Sequence, residues 1–170
     1  MKIIVTTGRG VGTTKLSAFD AALWDAGIAG YNLIYLSSVI PVGCEIVEAR
    51  HQPKSEQVGW KLYCVISVGY LALGDTFESW AGLGWASRKE CGGIFIEEVA
   101  TSQLGVLEKI QGAYSEMSFR RGDIGTLKTT FIQAPVPSPF SCAVAAAVYK
   151  ATPWSESNRP REDDHSEAAY

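Results

Sequence analysis

Apolar and polar positions follow two rhythms along this chain, and the switches between them divide it into strands and helices. The first run, Lys2–Thr7, is short and β-branched and predicts a strand. The stretch Gly8-Arg9-Gly10-Val11-Gly12 predicts a loop after it. From Lys15 to about Ala26, Leu16, Phe19, Leu23 and Ala26 recur at helical spacing. Thr13 or Thr14 can cap the start of this helix, and Gly27 suits its end.

Asn32–Pro41 (NLIYLSSVIP) is an apolar run that holds two adjacent serines, Ser37 and Ser38. Cys44–Ala49 can pair with a neighbouring strand, and residues 50–58 form a polar loop. Trp60–Leu71, Phe77–Ala86 and Gly93–Val99 read as strands. Ser102 caps a second helix that runs to Arg121, with Leu104, Leu107, Ile110, Tyr114 and Met117 on one face. Thr126–Ala134 and Ser141–Lys150 are the last strands, with a proline-rich loop between them. Two helices and many strands, with no repeat or linker, predict one α+β domain over residues 1–153 built in two or more layers.

Composition narrows the function without choosing it. The 46% hydrophobic content of this 170-residue chain suits a globular domain that needs no metal or disulfide staple. With 15 Lys plus Arg against 18 Asp plus Glu, the chain has no basic field for nucleic acid. The acidic excess lies in residues 154–170, where five acids oppose two bases and aliphatic side chains are scarce, so this segment reads as a disordered tail. Cys44, Cys64, Cys91 and Cys142 stand singly, without metal-site spacing, and read as reduced, buried thiols of a cytoplasmic protein. No stretch resembles a signal peptide or a membrane span.

Two features hold candidate chemistry. A strand, a glycine stretch and a helix could cradle a phosphate. Here Thr13 stands where the dinucleotide pattern requires a third glycine or alanine, and Thr14 precedes Lys15 where a Walker loop requires glycine. A tight loop without a nucleotide is the simpler reading. The pair Ser37-Ser38 places two hydroxyls in an otherwise apolar run, where an unpaired one costs about 1–3 kcal/mol. On local sequence alone, hydrogen bonds to nearby backbone account for them.

The longer pattern carries a resemblance. Gly10 to Ile28 reads Gly-x-Gly-x-x-Thr-x-Leu-Ser-Ala-Phe-Asp-x-Ala-Leu-x-x-Ala-Gly-Ile with Thr13 or Thr14 as its threonine, and Asn32-Leu33-Ile34 and Leu36-Ser37-Ser38-Val39-Ile40-Pro41 follow. This block, with Cys91–Glu97 and Cys142–Ala147 later, resembles the pyruvoyl-dependent arginine decarboxylases over about residues 3–150. The first block is long and specific; the later two are weak alone. Ser17 departs from the asparagine of many relatives, and residues 50–58 follow the family only loosely.

The resemblance implies that the Ser38 hydroxyl attacks the carbonyl of Ser37 and converts the amide to an ester. Elimination then frees a β chain, residues 1–37, and leaves an α chain, 38–170, that begins with a covalent pyruvoyl group; Asn32 contributes to this processing. The group forms a Schiff base with the amine of L-arginine and accepts the electrons released with CO2, giving agmatine with no metal. Glu97 matches the family's proton donor. Its neighbour Glu98 competes for that role, but the glycine, three apolar residues and glutamate select Glu97. Asp20 matches the carboxylate that binds the guanidinium, which suits two parallel charge-assisted hydrogen bonds. The implied fold is an αββα sandwich assembled as a homo-trimer or a multiple, with active sites between subunits. Related histidine decarboxylases use similar machinery, so another amino-acid substrate, or a relative that does not cleave, remains open.

Overall fold

The computed structural model describes residues 1–154. The expected acidic tail therefore lies outside the described residues, apart from Trp154. The elements run β1 (Lys2–Gly12), α1 (Lys15–Ala26), β2 (Asn32–Tyr35), β3 (Val39–Ile40), β4 (Glu45–Glu48), β5 (Lys61–Ala72), β6 (Trp80–Arg88), β7 (Gly92–Ala100), α2 (Gln103–Arg121), β8 (Lys128–Gln133) and β9 (Phe140–Thr152). A 3-10 turn at Ser55–Gln57 interrupts the expected polar loop. The strands form two sheets, one ordered β2-β5-β9-β1-β4 and the other β3-β7-β6-β8. Among the described residues the fold is thus mixed α and β, with two helices and two sheets.

Three apolar clusters hold the layers together. Alanines 143, 145 and 147 of β9 pack with Ile3, Val5, Val65, Leu83 and Phe95 between the sheets. The alternate residues Cys142, Val144, Ala146 and Val148 meet Ala18, Ala22 and Ala26 of α1. Val106 and Ile110 of α2 pack on Ile94 and Ile96 of β7. Covered on both faces, β9 is buried from Ser141 to Tyr149, which explains its uninterrupted small apolar run.

The expected glycine loop is strand. β1 continues through Gly12, and its partners on β9 extend to Gly12 opposite Phe140. Gly8, Gly10 and Gly12 fall on one face of β1, beneath α1, so their spacing reflects the helix–sheet contact and not a turn. A Cβ on Gly10 would lie 2.5 Å from both Ala21 Cβ and Ala22 N. Gly10→Ala is therefore expected to lose about 3 kcal/mol, since the obstacle includes backbone, and roughly 10 °C in Tm. Thermal melting checks this, and a variant as stable as the parent would mean that α1 can lift from the sheet.

The same close approach revises the helix faces. α1 buries Ala18, Ala22, Leu23 and Ala26, whereas Leu16 is 76% exposed, because only small side chains fit over the glycines. Thr14 is the cap: its Oγ1 accepts from Ser17 N at 3.1 Å, and Ser17 Oγ accepts from Thr14 N at 3.0 Å. Gly27 closes the helix in the left-handed region at φ 77°. On α2, Val106 and Ile110 are buried while Leu104 is exposed. Cys64 and Cys142 are buried, and burial pushes each thiol up to about 12, but Cys91 is exposed. Among the described residues no helix is long and apolar enough to cross a membrane.

Candidate active site

The expected single apolar run at 32–41 is two short edge strands in different sheets. β2 pairs in parallel with β5 at the edge of the five-stranded sheet, and β3 pairs antiparallel with β7 at the edge of the other. Leu36, Ser37 and Ser38 cross between them. Edge placement leaves Tyr35 and Val39 exposed, so the run is less buried than its composition predicts. A break in this crossing would cut no sheet ladder.

The crossing is held on both sides. Leu36 N–H donates to the Cys64 carbonyl at 2.9 Å, and Phe95 N–H donates to the Ser38 carbonyl at 2.7 Å. The Tyr149 hydroxyl donates to the Val39 carbonyl at 3.0 Å. Among the described residues neither the Ser37 carbonyl nor the Ser38 N–H makes a backbone hydrogen bond, so the peptide between the serines is itself untied. Ser38 has φ 66°, the one positive φ outside glycine among the described residues. The left-handed region costs an L residue about 1–2 kcal/mol, and the surrounding hydrogen bonds keep this strain in place.

The Ser38 hydroxyl donates to Glu97 Oε1. Successive residues of β7 face opposite sides. Phe95 and Glu97 therefore look into the space between the sheets, while Ile94, Ile96 and Glu98 face α2. Glu98 Oε2 lies 3.8 Å from Lys109 Nζ of α2, and its carbonyl accepts from Ser67 Oγ at 2.6 Å. Of the two acids, Glu97 alone touches the serine pair. Burial, then the negative charge of Glu97, raises the Tyr149 phenol above its ordinary range, which keeps it a donor.

Two other sequence candidates lie elsewhere. Asn32, six residues before Ser38, is exposed at the start of β2, and its Nδ2 donates to the Gly59 carbonyl at 2.6 Å. Asp20 is exposed on α1, which covers the face of its sheet away from β7, and it has no side-chain hydrogen bond or ion pair among the described residues. One chain thus brings Ser37, Ser38 and Glu97 together but not Asn32 or Asp20. Sequence reasoning missed Tyr149, which reaches Val39 across 110 positions from the end of the buried alanine run. Its only sequence signal is a polar-tipped aromatic closing an apolar strand.

Chemically, a carboxylate on a serine hydroxyl beside a strained, untied peptide can draw a proton from a nucleophile next to an acyl carbon. Residue 38 also fits a ketone at its Cα, with oxygen in place of the backbone nitrogen and a methyl left from the side chain, since the main chain is fixed at the Ser38 and Val39 carbonyls while the side-chain position faces Glu97.

Sequence comparison points the same way. The family model described as pyruvoyl-dependent arginine decarboxylase (PvlArgDC) matches residues 2–153. A pyruvoyl-dependent arginine decarboxylase of Halobacterium salinarum is 38% identical over 96 residues, 56% of this chain and 59% of that protein. Pyruvoyl-dependent arginine decarboxylase 2 of Archaeoglobus fulgidus is 27% identical over 150 residues, 87% of this chain and 95% of that protein. A pyruvoyl-dependent arginine decarboxylase from Methanothermobacter thermautotrophicus is 46% identical over 67 residues, 39% of this chain and 42% of that protein. The matched part of the chain thus spans less than two-thirds of the Halobacterium relative's length. With the family match covering nearly every described residue and the serine pair set against Glu97 in the fold, the chain belongs to the pyruvoyl-dependent arginine decarboxylase family.

Proposed function

We propose that this chain cuts itself between Ser37 and Ser38 and then decarboxylates L-arginine to agmatine and CO2. The observation that carries the reading is Ser38, held left-handed with its hydroxyl on Glu97 and its N-terminal peptide untied. Glu97 accepts the Ser38 proton as Oγ attacks the Ser37 carbonyl carbon. The Ser37–Ser38 C–N bond breaks as that proton passes on to the nitrogen of residue 38, and an ester forms in its place. Loss of a Cα proton from residue 38 expels the Ser37 carboxylate, and water then replaces the nitrogen of residue 38 with oxygen, releasing ammonia.

The pyruvoyl group so formed supplies an electron sink for the departing CO2. Phe95 N–H and Tyr149 hold the main chain beside it, and Glu97 stands ready to return a proton to the substrate's α-carbon. The helix-on-sheet and sheet-on-sheet packing supports an αββα sandwich of the family's type. Because Asp20 is remote from the Ser38–Glu97 pair within one chain, we place guanidinium recognition between subunits of a homo-trimer or a multiple of it.

Intact mass spectrometry of the purified protein tests the cut. Two chains are expected, one ending at Ser37 and one starting with a ketone-bearing residue 38. Agmatine formation is then compared with turnover of histidine, lysine and ornithine. An uncut chain that still releases CO2, or turnover of another amino acid without arginine, would sink the reading.

Asp20→Asn gives a sharper view of substrate recognition. Cleavage is expected to be complete, because α1 packs in one apolar cluster and Leu36 of the crossing segment in another, between the sheets. KM for arginine should rise about 10- to 100-fold, the worth of a charge-assisted hydrogen-bond pair. Steady-state kinetics on fully cut protein measures this, and an unchanged KM would move the guanidinium site elsewhere.

A further inference from the structure

Once the peptide before residue 38 is broken, that residue becomes a chain end, and few groups remain to hold it. The Leu36–Cys64 hydrogen bond stays with the chain that ends at Ser37. β3 is two residues long and lies at a sheet edge, with Val39 54% exposed and Ile40 buried. Phe95 N–H and the β3 ladder attach residues 38–40 to β7 alone. Among the described residues, one side-chain hydrogen bond to this stretch comes from the opposite sheet: Tyr149 of β9, donating to the Val39 carbonyl.

We propose that Tyr149 is a positioning residue that anchors the newly made chain end, keeping the reactive group of residue 38 turned toward Glu97 during turnover. Its geometry suits that task. The ring is 8% exposed and packs edge-on against Phe95, with centroids 6.0 Å apart, and Phe95 is the residue whose N–H holds the Ser38 carbonyl. Tyr149 thus fixes Val39 directly and braces the second tether from behind. A hinge at the edge of β7 would otherwise let residue 38 rotate about its remaining ladder. On the other side of Glu97, Ser67 of β5 makes a matching cross-sheet bond to the Glu98 carbonyl at 2.6 Å, so both partners of the pair are tied to the five-stranded sheet.

This inference rests on the self-cleaving reading above, and Tyr149→Phe separates the two. The variant keeps the ring and removes only the donor. Before cleavage, covalent continuity through Ser37 and the Phe95 tether still hold residue 38, so the cut should go to completion, though more slowly. After cleavage, kcat is expected to fall about tenfold, the kinetic equivalent of one lost hydrogen bond, with KM changed less than about twofold. A merely structural tyrosine would lower Tm and leave kcat per cut molecule unchanged, which overturns the anchor, as does a rise in KM alone. Wild type is measured alongside. If it stays uncut, the proposed function fails and the anchor with it; if it cuts and the variant matches its kcat, the anchor alone fails. Should the variant not fold, hydrogen exchange on wild type replaces it. Protection of the peptide covering residues 38–42 after cleavage, equal to that in uncut protein, supports the anchor, and its loss overturns it.

Discussion

Ser38→Ala is expected to remain one unbroken chain and to form no agmatine. Ser38 Oγ is the one hydroxyl that combines contact with Glu97 and a position directly after the untied peptide. Ser37 lies on the acyl side of that peptide, and its hydroxyl cannot reach the same carbon in the same sense. Alanine has no atom to take over, so both the break and everything that depends on it disappear. Because an unassisted decarboxylation is slower than enzymatic turnover by at least about a millionfold, the loss is total on any assay's scale. The fold should survive. Alanine meets the same left-handed penalty of about 1–2 kcal/mol as serine, and the segment keeps its bonds to Phe95 and Tyr149. A melting curve near that of uncut wild type, with one mass and no activity, is the expected result. Two masses from Ser38→Ala would place the nucleophile elsewhere.

What the sequence made legible depends on how local each cause is. α1 was bounded at Lys15 and Ala26 because Thr14 and Gly27 act within one turn of their targets. β5 through β9 were found within about two or three residues at most ends, since their apolar runs report burial directly. The glycines of β1 were misread because glycine signals a turn and a close approach equally well, and only the helix lying over Gly8, Gly10 and Gly12 distinguishes the two. For the same reason the buried face of α1 could not be read from its large residues. Alanines form most of it, and which face approaches the sheet is set by what lies beneath.

The site divides along a similar line. Ser37 and Ser38 were placed by matching a long motif and Glu97 by a shorter, later one, and the fold brings them to one point although Glu97 is 59 positions from Ser38. Asp20 and Asn32 came from the same long motif as the serines, yet within one chain each stands apart from the pair. Tyr149 is the reverse case. No motif pointed to it, and only sheet stacking brings β9 across from β3.

Glu97→Gln separates the two tasks that the geometry gives one carboxylate. Glutamine has nearly the same shape, and its amide oxygen can still accept from the Ser38 hydroxyl, so the strained turn and the tethers at Phe95 and Tyr149 persist. The break should therefore go to completion, though more slowly, because strain and proximity remain while the base is gone. Turnover needs more. The α-carbon that loses CO2 must receive a proton, and an amide cannot deliver one, so kcat is expected to fall about 10²- to 10⁴-fold, the usual worth of a general acid. Mass spectrometry establishes the cut fraction first, and agmatine formation per cut chain is measured second. In D2O the wild type should place deuterium on that carbon in one configuration, while the slow product of the variant, protonated by solvent from either side, should be mixed. Full activity from the cut Glu97→Gln variant would remove Glu97 from proton delivery. A variant chain that never cuts would show that activating Ser38 requires the carboxylate itself.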